Sequence, residues 1–212
     1  DDYLSITGHL DDEASGLYAF FKQSPLNESL NDLMQYTQIQ GPVGVDLDIK
    51  IPLHSGLSPK IKARALLNNN TLLLPSIDLA LTQLAGVISY GEKGLSAKRL
   101  KANVWNEKTL IDIASKESST VISLSGELDA AQLAKKYPHE LWQKFSGRTP
   151  ATLTVAVPLF SADESADTTI TLESDMRGVR INLPTPLGKA KVATAAVQAQ
   201  LLLSSADVPI RF

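Results

Sequence analysis

The chain has 212 residues, enough for one large domain or two smaller units, with 43% apolar and 20% charged residues, a formal net charge of −3 and no cysteine. This is the usage of a folded globular chain, which argues against disorder, and the missing cysteines exclude disulfides, thiolate metal sites and cysteine nucleophiles. The mixed charge, with no Lys/Arg cluster interleaved with aromatics, argues against nucleic acid as a partner, and apolar runs such as Leu72 to Pro75 and Ala199 to Leu203 are far shorter than the ~20 residues of a membrane-spanning helix.

The sequence begins Asp1-Asp2 without Met and stops at Phe212 after a strand-like run, so we expect one continuous structure excised from a longer protein. Thr7-Gly8-His9-Leu10-Asp11 leads into the first helical pattern, near residues 12 to 35. There Leu17, Phe20 and Phe21 fall at i, i+3, i+4, and Leu26, Leu30, Leu33 and Met34 at i, i+4, i+7, i+8, with Pro25 opening a second helix. Asp11 is the expected N-cap. His9, Asp11, Asp12 and Glu13 are also residue types that could ligate a divalent cation. The capping role, without metal, is the expectation we adopt.

Period-2 alternation then dominates. Val45, Leu47, Ile49, Ile51 and Leu53 are apolar while Asp46, Asp48 and Lys50 are polar, the signature of a half-buried strand. The pattern recurs at Ile61/Ala63/Ala65, Ile77/Leu79/Leu81, Leu100/Ala102/Val104, Ile122/Leu124 and Leu153/Val155/Val157/Leu159. Turn residues separate the runs at Ser55-Gly56, Asn68-Asn69-Asn70, Gly91 to Gly94, Asn106-Glu107-Lys108 and Met176-Arg177-Gly178. A meander of antiparallel hairpins follows from this spacing. A second broken helix is expected between residues 130 and 145, capped by Asp129, restarted at Pro138 and carrying Leu141, Trp142 and Phe145.

The chain also reads as a duplication. Gly41 to Leu53 lies over Gly147 to Leu159 at an offset of 106, Thr7 to Asp11 over Ser125 to Asp129 at 118, and Leu72 to Ser76 over Ile181 to Thr185 at 109. This divides the chain into a first β repeat with its helical segment, residues 1–118, and a second, truncated repeat, residues 119–212. In the second copy His9 becomes Glu127 while Asp11 returns as Asp129, which suits a cap and not a ligand.

No catalytic signature is present. His54 and His139 have no Ser, Asp or His neighbours at triad or zinc spacing, and there is no phosphate loop, dinucleotide fingerprint or nucleophile elbow. Asn27-Glu-Ser29 and Asn69-Asn-Thr71 match a glycosylation sequon too short to carry weight. Trp105 and Trp142 are expected to pack. Alternation leaves open whether the apolar face is closed by another sheet or open to a ligand.

The run Ser174-Asp-Met-Arg-Gly-Val-Arg-Ile-Asn-Leu-Pro-Thr-Pro-Leu-Gly-Lys189 closely resembles a stretch of the large AsmA-like proteins. So do Asn69 to Pro75, Leu84 to Tyr90 and Gly94 to Ala102, in the same order. The resemblance covers residues 38 to 189, with Trp105-Asn106 standing where a smaller turn is expected. It implies a periplasmic part of a protein anchored in the bacterial inner membrane, a mainly β (α+β) fold with a curled antiparallel sheet and an apolar groove, and two short broken-helix segments as plugs or lids.

It further implies a conduit that binds or passes phospholipid or another acyl-chain ligand between inner and outer membranes in support of the outer-membrane barrier. Neither enzymatic activity, a cofactor nor a metal comes with it. The expected partners are lipid and the rest of the parent chain. The groove lining expected on this basis is Val45, Leu47, Ile49, Ile51, Leu79, Leu81, Ala102, Val104, Ile122, Leu124, Leu153, Val155, Val157, Ile181 and Leu183. The alternative is a periplasmic scaffold with a closed β core that binds protein partners.

Overall fold

The computed structural model describes residues 2–16, 38–54, 57–75, 78–116, 119–136, 138–158 and 168–203. In chain order these form β1 (Tyr3–Glu13), β2 (Gln38–Gln40), β3 (Pro42–Pro52), β4 (Lys60–Leu74), β5 (Leu79–Gly91), β6 (Gly94–Val104), β7 (Glu107–Ser115) and β8 (Ser119–Asp129). Helix α1 (Ala130–Lys136), a 3-10 turn (Glu140–Lys144), β9 (Phe145–Pro158), β10 (Thr168–Ser174), β11 (Val179–Ile181) and β12 (Val197–Leu203) follow. Ten strands build one antiparallel sheet in the order β1-β3-β4-β5-β6-β7-β8-β9-β10-β12. Two short strands lie off this path, β2 against β4 and β11 against β9. The chain is therefore mainly β, as the alternation predicts.

Several local expectations change. Asn68-Asn69-Asn70 is not a turn but the middle of β4, where the register with β5 slips. Asn69 takes φ +60, which asparagine tolerates, and Asn70 is fully buried. Its side-chain amide donates to the carbonyls of Gln40 (3.1 Å) and Pro42 (3.0 Å), and its carbonyl accepts from the N–H of Asn68. A turn signature thus serves as a β-bulge, its polar groups satisfied by the neighbouring backbone. Further slips fall in β5 and β6, with Gln83 and Arg99 at positive φ, so the bulges cross three consecutive strands. The turn between β6 and β7 is Trp105-Asn106, one residue earlier than expected, and both residues have positive φ, as a two-residue hairpin demands.

The first helical segment is described only from Ala14 to Gly16; Leu17, Phe20, Phe21, Pro25, Leu26, Leu30, Leu33 and Met34 lie outside the described residues, as do Ser55-Gly56, Ile77 and Leu159. Asp11 does not cap this helix. Strand β1 runs on to Glu13, so the cap position falls beyond Asp11, whose carboxylate instead meets the ring of His9. The second cap is where it was expected: the N–H of Ala131 donates to Asp129 Oδ1 at 2.8 Å. After α1, the segment restarted by Pro138 is a 3-10 turn, with His139 Nδ1 accepting from the N–H of Leu141 and Trp142 packed edge-on against Phe145.

Pairs β1–β3 and β8–β9 share one plan. The first runs in eleven rungs from Tyr3↔Pro52 to Glu13↔Pro42, the second in eleven from Ser119↔Pro158 to Asp129↔Arg148, and each leads into helix at a buried alanine, Ala14 or Ala130. By position in the unit, β3 and β9 keep the offset of 106 (Pro42 to Arg148), while β1 and β8 are offset by 116 (Tyr3 to Ser119), not 118.

The buried core sits in the middle of the sheet, under the bulges. Val43, Val45, Leu67, Leu81, Leu84, Ala97, Leu100, Ala102 and Ile111 pack there with Ala14.

Candidate functional site

Residues directly opposite each other in an antiparallel sheet share a face, so the register defines what each face presents. One row crosses all ten strands: Leu10↔Val45↔Ala65↔Ile88↔Ala97↔Ile113↔Ile122↔Val155↔Ile170↔Leu201. Every member is apolar. At ~4.8 Å per strand this row is about 43 Å long. A second row, two residues along, runs Leu100↔Ile111↔Leu124↔Leu153↔Leu172↔Ala199. Neither row contains a charge. Beyond it the side chains become small and polar, Thr109↔Gly126↔Ala151↔Ser174, and an open depression forms around Gly126, Ala151, Ser174 and Val197.

Exposure along the first row is uneven, with Val45 and Ala97 buried, Leu10 and Leu201 exposed and the other six members partly buried. Val45 is 1% exposed and Ala97 6%, while at the two ends Leu10 is 40% and Leu201 42% exposed. Leu4 and Ile6, which share the face through their partners Ile51 and Ile49, are exposed as well. Among the described residues the face is thus most exposed on the edge strands β1 and β12.

Of the residues singled out from sequence, Val45, Leu47, Ile49 and Ile51 lie together on β3, Ile122 and Leu124 on β8, and Leu153, Val155 and Val157 on β9, all on this face. Leu79 and Leu81 on β5 join it through Leu74 and Leu72, and Val104 through Leu81; Ala102 is opposite Thr109, and both Leu81 and Ala102 are buried. Ile181 and Leu183 stand apart, at the end of β11 and just after it, off the ten-strand path. Sequence reading left out Leu4, Ile6 and Leu10 on β1, Ile88, Ile113, Ile170, Leu172 and Leu201. The alternations Ile111-Asp-Ile113 and Ile170-Thr-Leu172 carried the signal for four positions, whereas glycine, histidine and acids interrupt β1.

The opposite face is mixed, with charged and polar residues beside exposed apolar ones such as Leu66 and Leu202. His9 faces Asp46 across β1–β3, and its ring lies between Asp46 Oδ1 (2.7 Å from Nδ1) and Asp11 Oδ2 (3.0 Å from Nε2). The hydrogen bond to Asp46, then that to Asp11, raises the imidazole pKa above its ordinary value. The two carboxylates sit on opposite ring nitrogens and cannot converge on one cation. Among the described residues no group of three or more His, Asp or Glu is placed to hold a metal. Lys60 pairs with Glu92 at 3.0 Å, which raises the lysine and lowers the glutamate. Arg148 joins three strands by pairing with Glu107 (3.0 Å) and with the capping Asp129 (3.1 Å).

A family model described as "YhdP protein" matches residues 1–211. The chain is similar to the intermembrane phospholipid transporter YhdP of Escherichia coli strain K12, at 27% identity over 186 residues, which cover 86% of the chain and 14% of that protein. The match thus spans about one seventh of the relative's length. No solved structure matches. Among the described residues no helix is long and apolar enough to cross a membrane.

Proposed function

The chain belongs to the YhdP family, and from that premise we propose that its apolar face holds and passes phospholipid acyl chains in the bacterial periplasm, as one section of a path between inner and outer membranes that supports the outer-membrane barrier. The observation that carries the reading is the apolar row across all ten strands, unbroken by any charge and exposed on both edge strands. An apolar surface of this extent in water calls for an occupant, and hydrocarbon needs no directional partner along a smooth row. The lining consists of the β3, β8 and β9 residues named above together with Ile170 and Leu201, while the buried central residues shape the wall. Neither a cofactor nor catalysis is part of this reading.

The same reading treats β1–β3 and β8–β9 as two copies of one strand–helix–strand unit. Its support is the equal rung count, the buried alanine that begins each helix, and the shared Pro at the end of β3 and β9. Duplicating such a unit lengthens an apolar row without changing its chemistry.

The test is mass spectrometry of lipid extracted from the purified chain, beside a Val155→Glu variant. Phospholipid is expected with the parent chain and absent from the variant, whose circular dichroism stays that of a β protein because the partly exposed wall at Val155 lets the carboxylate reach water. A closed core behaves differently: burying the charge costs several kcal/mol and unfolds the chain. A lipid-free parent chain together with an aggregating variant would favour the scaffold with a closed β core.

A further inference from the structure

We propose that the lobe between β10 and β12 docks on an anionic lipid surface. Between β10 and β12, over residues 175–196, the chain carries four cations, Arg177, Arg180, Lys189 and Lys191, against one acid, Asp175, whose carboxylate lies 3.7 Å from Arg177 Nε. The formal net charge of the whole chain is −3 and the lobe contributes +3 (four cations less one acid), so the remainder carries −6. The lobe is thus a positive island on an acidic molecule.

Its backbone is tied down. Ile181 and Lys189 exchange N–H donations at 2.9 and 3.0 Å, and the N–H of Gly178 donates to the carbonyl of Lys191 at 2.9 Å. Lys189 is engaged inward, its ammonium donating to the carbonyls of Val179 (2.8 Å) and Ala190 (3.1 Å). Gly178 packs so closely on β9 that a Cβ there would lie 2.2 Å from the carbonyl oxygen of Arg148. Arg180 and Lys191 are exposed and hold no ion pair among the described residues.

On this platform two tight turns present aliphatic side chains to water. In the first, the N–H groups of Leu187 and Gly188 both donate to the carbonyl of Pro184, and Leu187 is 69% exposed. In the second, the N–H of Ala193 donates to the carbonyl of Ala190, and Val192 is 89% exposed. A single exposed aliphatic residue needs no explanation. Two at turn tips of one lobe, which also carries the exposed Arg180 and Lys191 and a single acid already paired with Arg177, match the chemistry of a lipid interface: the tips enter the headgroup region while the free cations meet phosphates. An acidic protein would answer the charge, but it would also need a pocket for each separate tip, whereas a bilayer needs none.

Co-sedimentation of the chain with vesicles of phosphatidylcholine, with and without phosphatidylglycerol, tests this. Binding is expected on the anionic vesicles and is expected to weaken with salt. Neutralising Arg180→Gln and Lys191→Gln together should weaken it about 25-fold, at roughly fivefold per cation, and Leu187→Ser with Val192→Ser should weaken it as well. Val155→Glu should leave docking unchanged, so this proposal and the lipid-path reading fail separately. Equal binding to neutral and anionic vesicles, no vesicle binding, or indifference to both double variants overturns the proposal. Capture by an immobilised acidic polypeptide without any vesicle binding overturns it in favour of a protein partner.

Discussion

His9 shows how one side chain changes role between sequence and fold. In sequence it begins an apparent ligand cluster, but on β1 it faces Asp46 of β3, which in turn faces Arg64 of β4, and Asp11 approaches its other nitrogen. The protonated ring donates to both carboxylates and fastens the outermost strand to its neighbour. Because these contacts raise the folded pKa above 6.5, the stabilisation is fully present below that value and is lost as pH rises through the folded pKa. An NMR titration of the imidazole is expected to give a midpoint above 6.5 in the parent chain and one closer to the ordinary value in Asp46→Asn. A parent midpoint at or below the ordinary value would remove the paired geometry. Asp11 was misread for a related reason: the cap signature fixes residue type but not where a strand ends, and β1 continues two residues beyond it.

Among the elements, β4 best separates what pattern reveals from what it hides. Alternation at Ile61, Ala63 and Ala65 made its first half legible, but three asparagines in succession read as a turn because asparagine tolerates left-handed backbone and bonds its own neighbours. What overrides that preference is tertiary, namely the carbonyls of Gln40 and Pro42, to which the buried Asn70 amide donates. With the slips in β5 and β6, this bulge bends the sheet where the core is densest. Lys136 at the end of α1 pairs with Asp78 in the β4–β5 turn, a contact that α1 makes by reaching across from β8 toward β5, three strands away in the sheet. Asn70→Ala removes three side-chain hydrogen bonds, two to part-buried carbonyls and one from the N–H of Asn68, so we expect a loss of about 1–3 kcal/mol in urea unfolding. The same change at exposed Asn68 should cost under about 0.5 kcal/mol. Equal losses at the two positions would show that Asn70 is not the residue holding the bulge.

At the scale of the whole molecule the sequence made one property legible and left another hidden. Period-2 alternation told which residues share a face within each strand, so most of the β3, β8 and β9 lining could be named. It could not tell how strands align, because a slip of two residues keeps every face unchanged. Register is what converts separate alternations into one row, and with the row comes a contrast no alternation contains, buried at Val45 and Ala97 and exposed on the edge strands at Leu10 and Leu201. This contrast yields a prediction by position. A carboxylate placed at Val45 or Leu100, each 1% exposed, loses its hydration with no cation opposite, since the neighbours across the sheet are Leu10, Ala65 and Ile111. The cost of several kcal/mol is comparable with the whole stability of a domain, so Val45→Glu and Leu100→Glu should unfold the chain. At Leu10 and Leu201 the same group can turn into water, and the loss shrinks to the contacts of a part-exposed leucine, about 1 kcal/mol. Urea unfolding of the four variants should therefore fall into two classes by position along the row and not by the residue replaced. If Leu10→Glu and Leu201→Glu unfold like the central pair, the face is closed along its whole length and no lipid can lie on it.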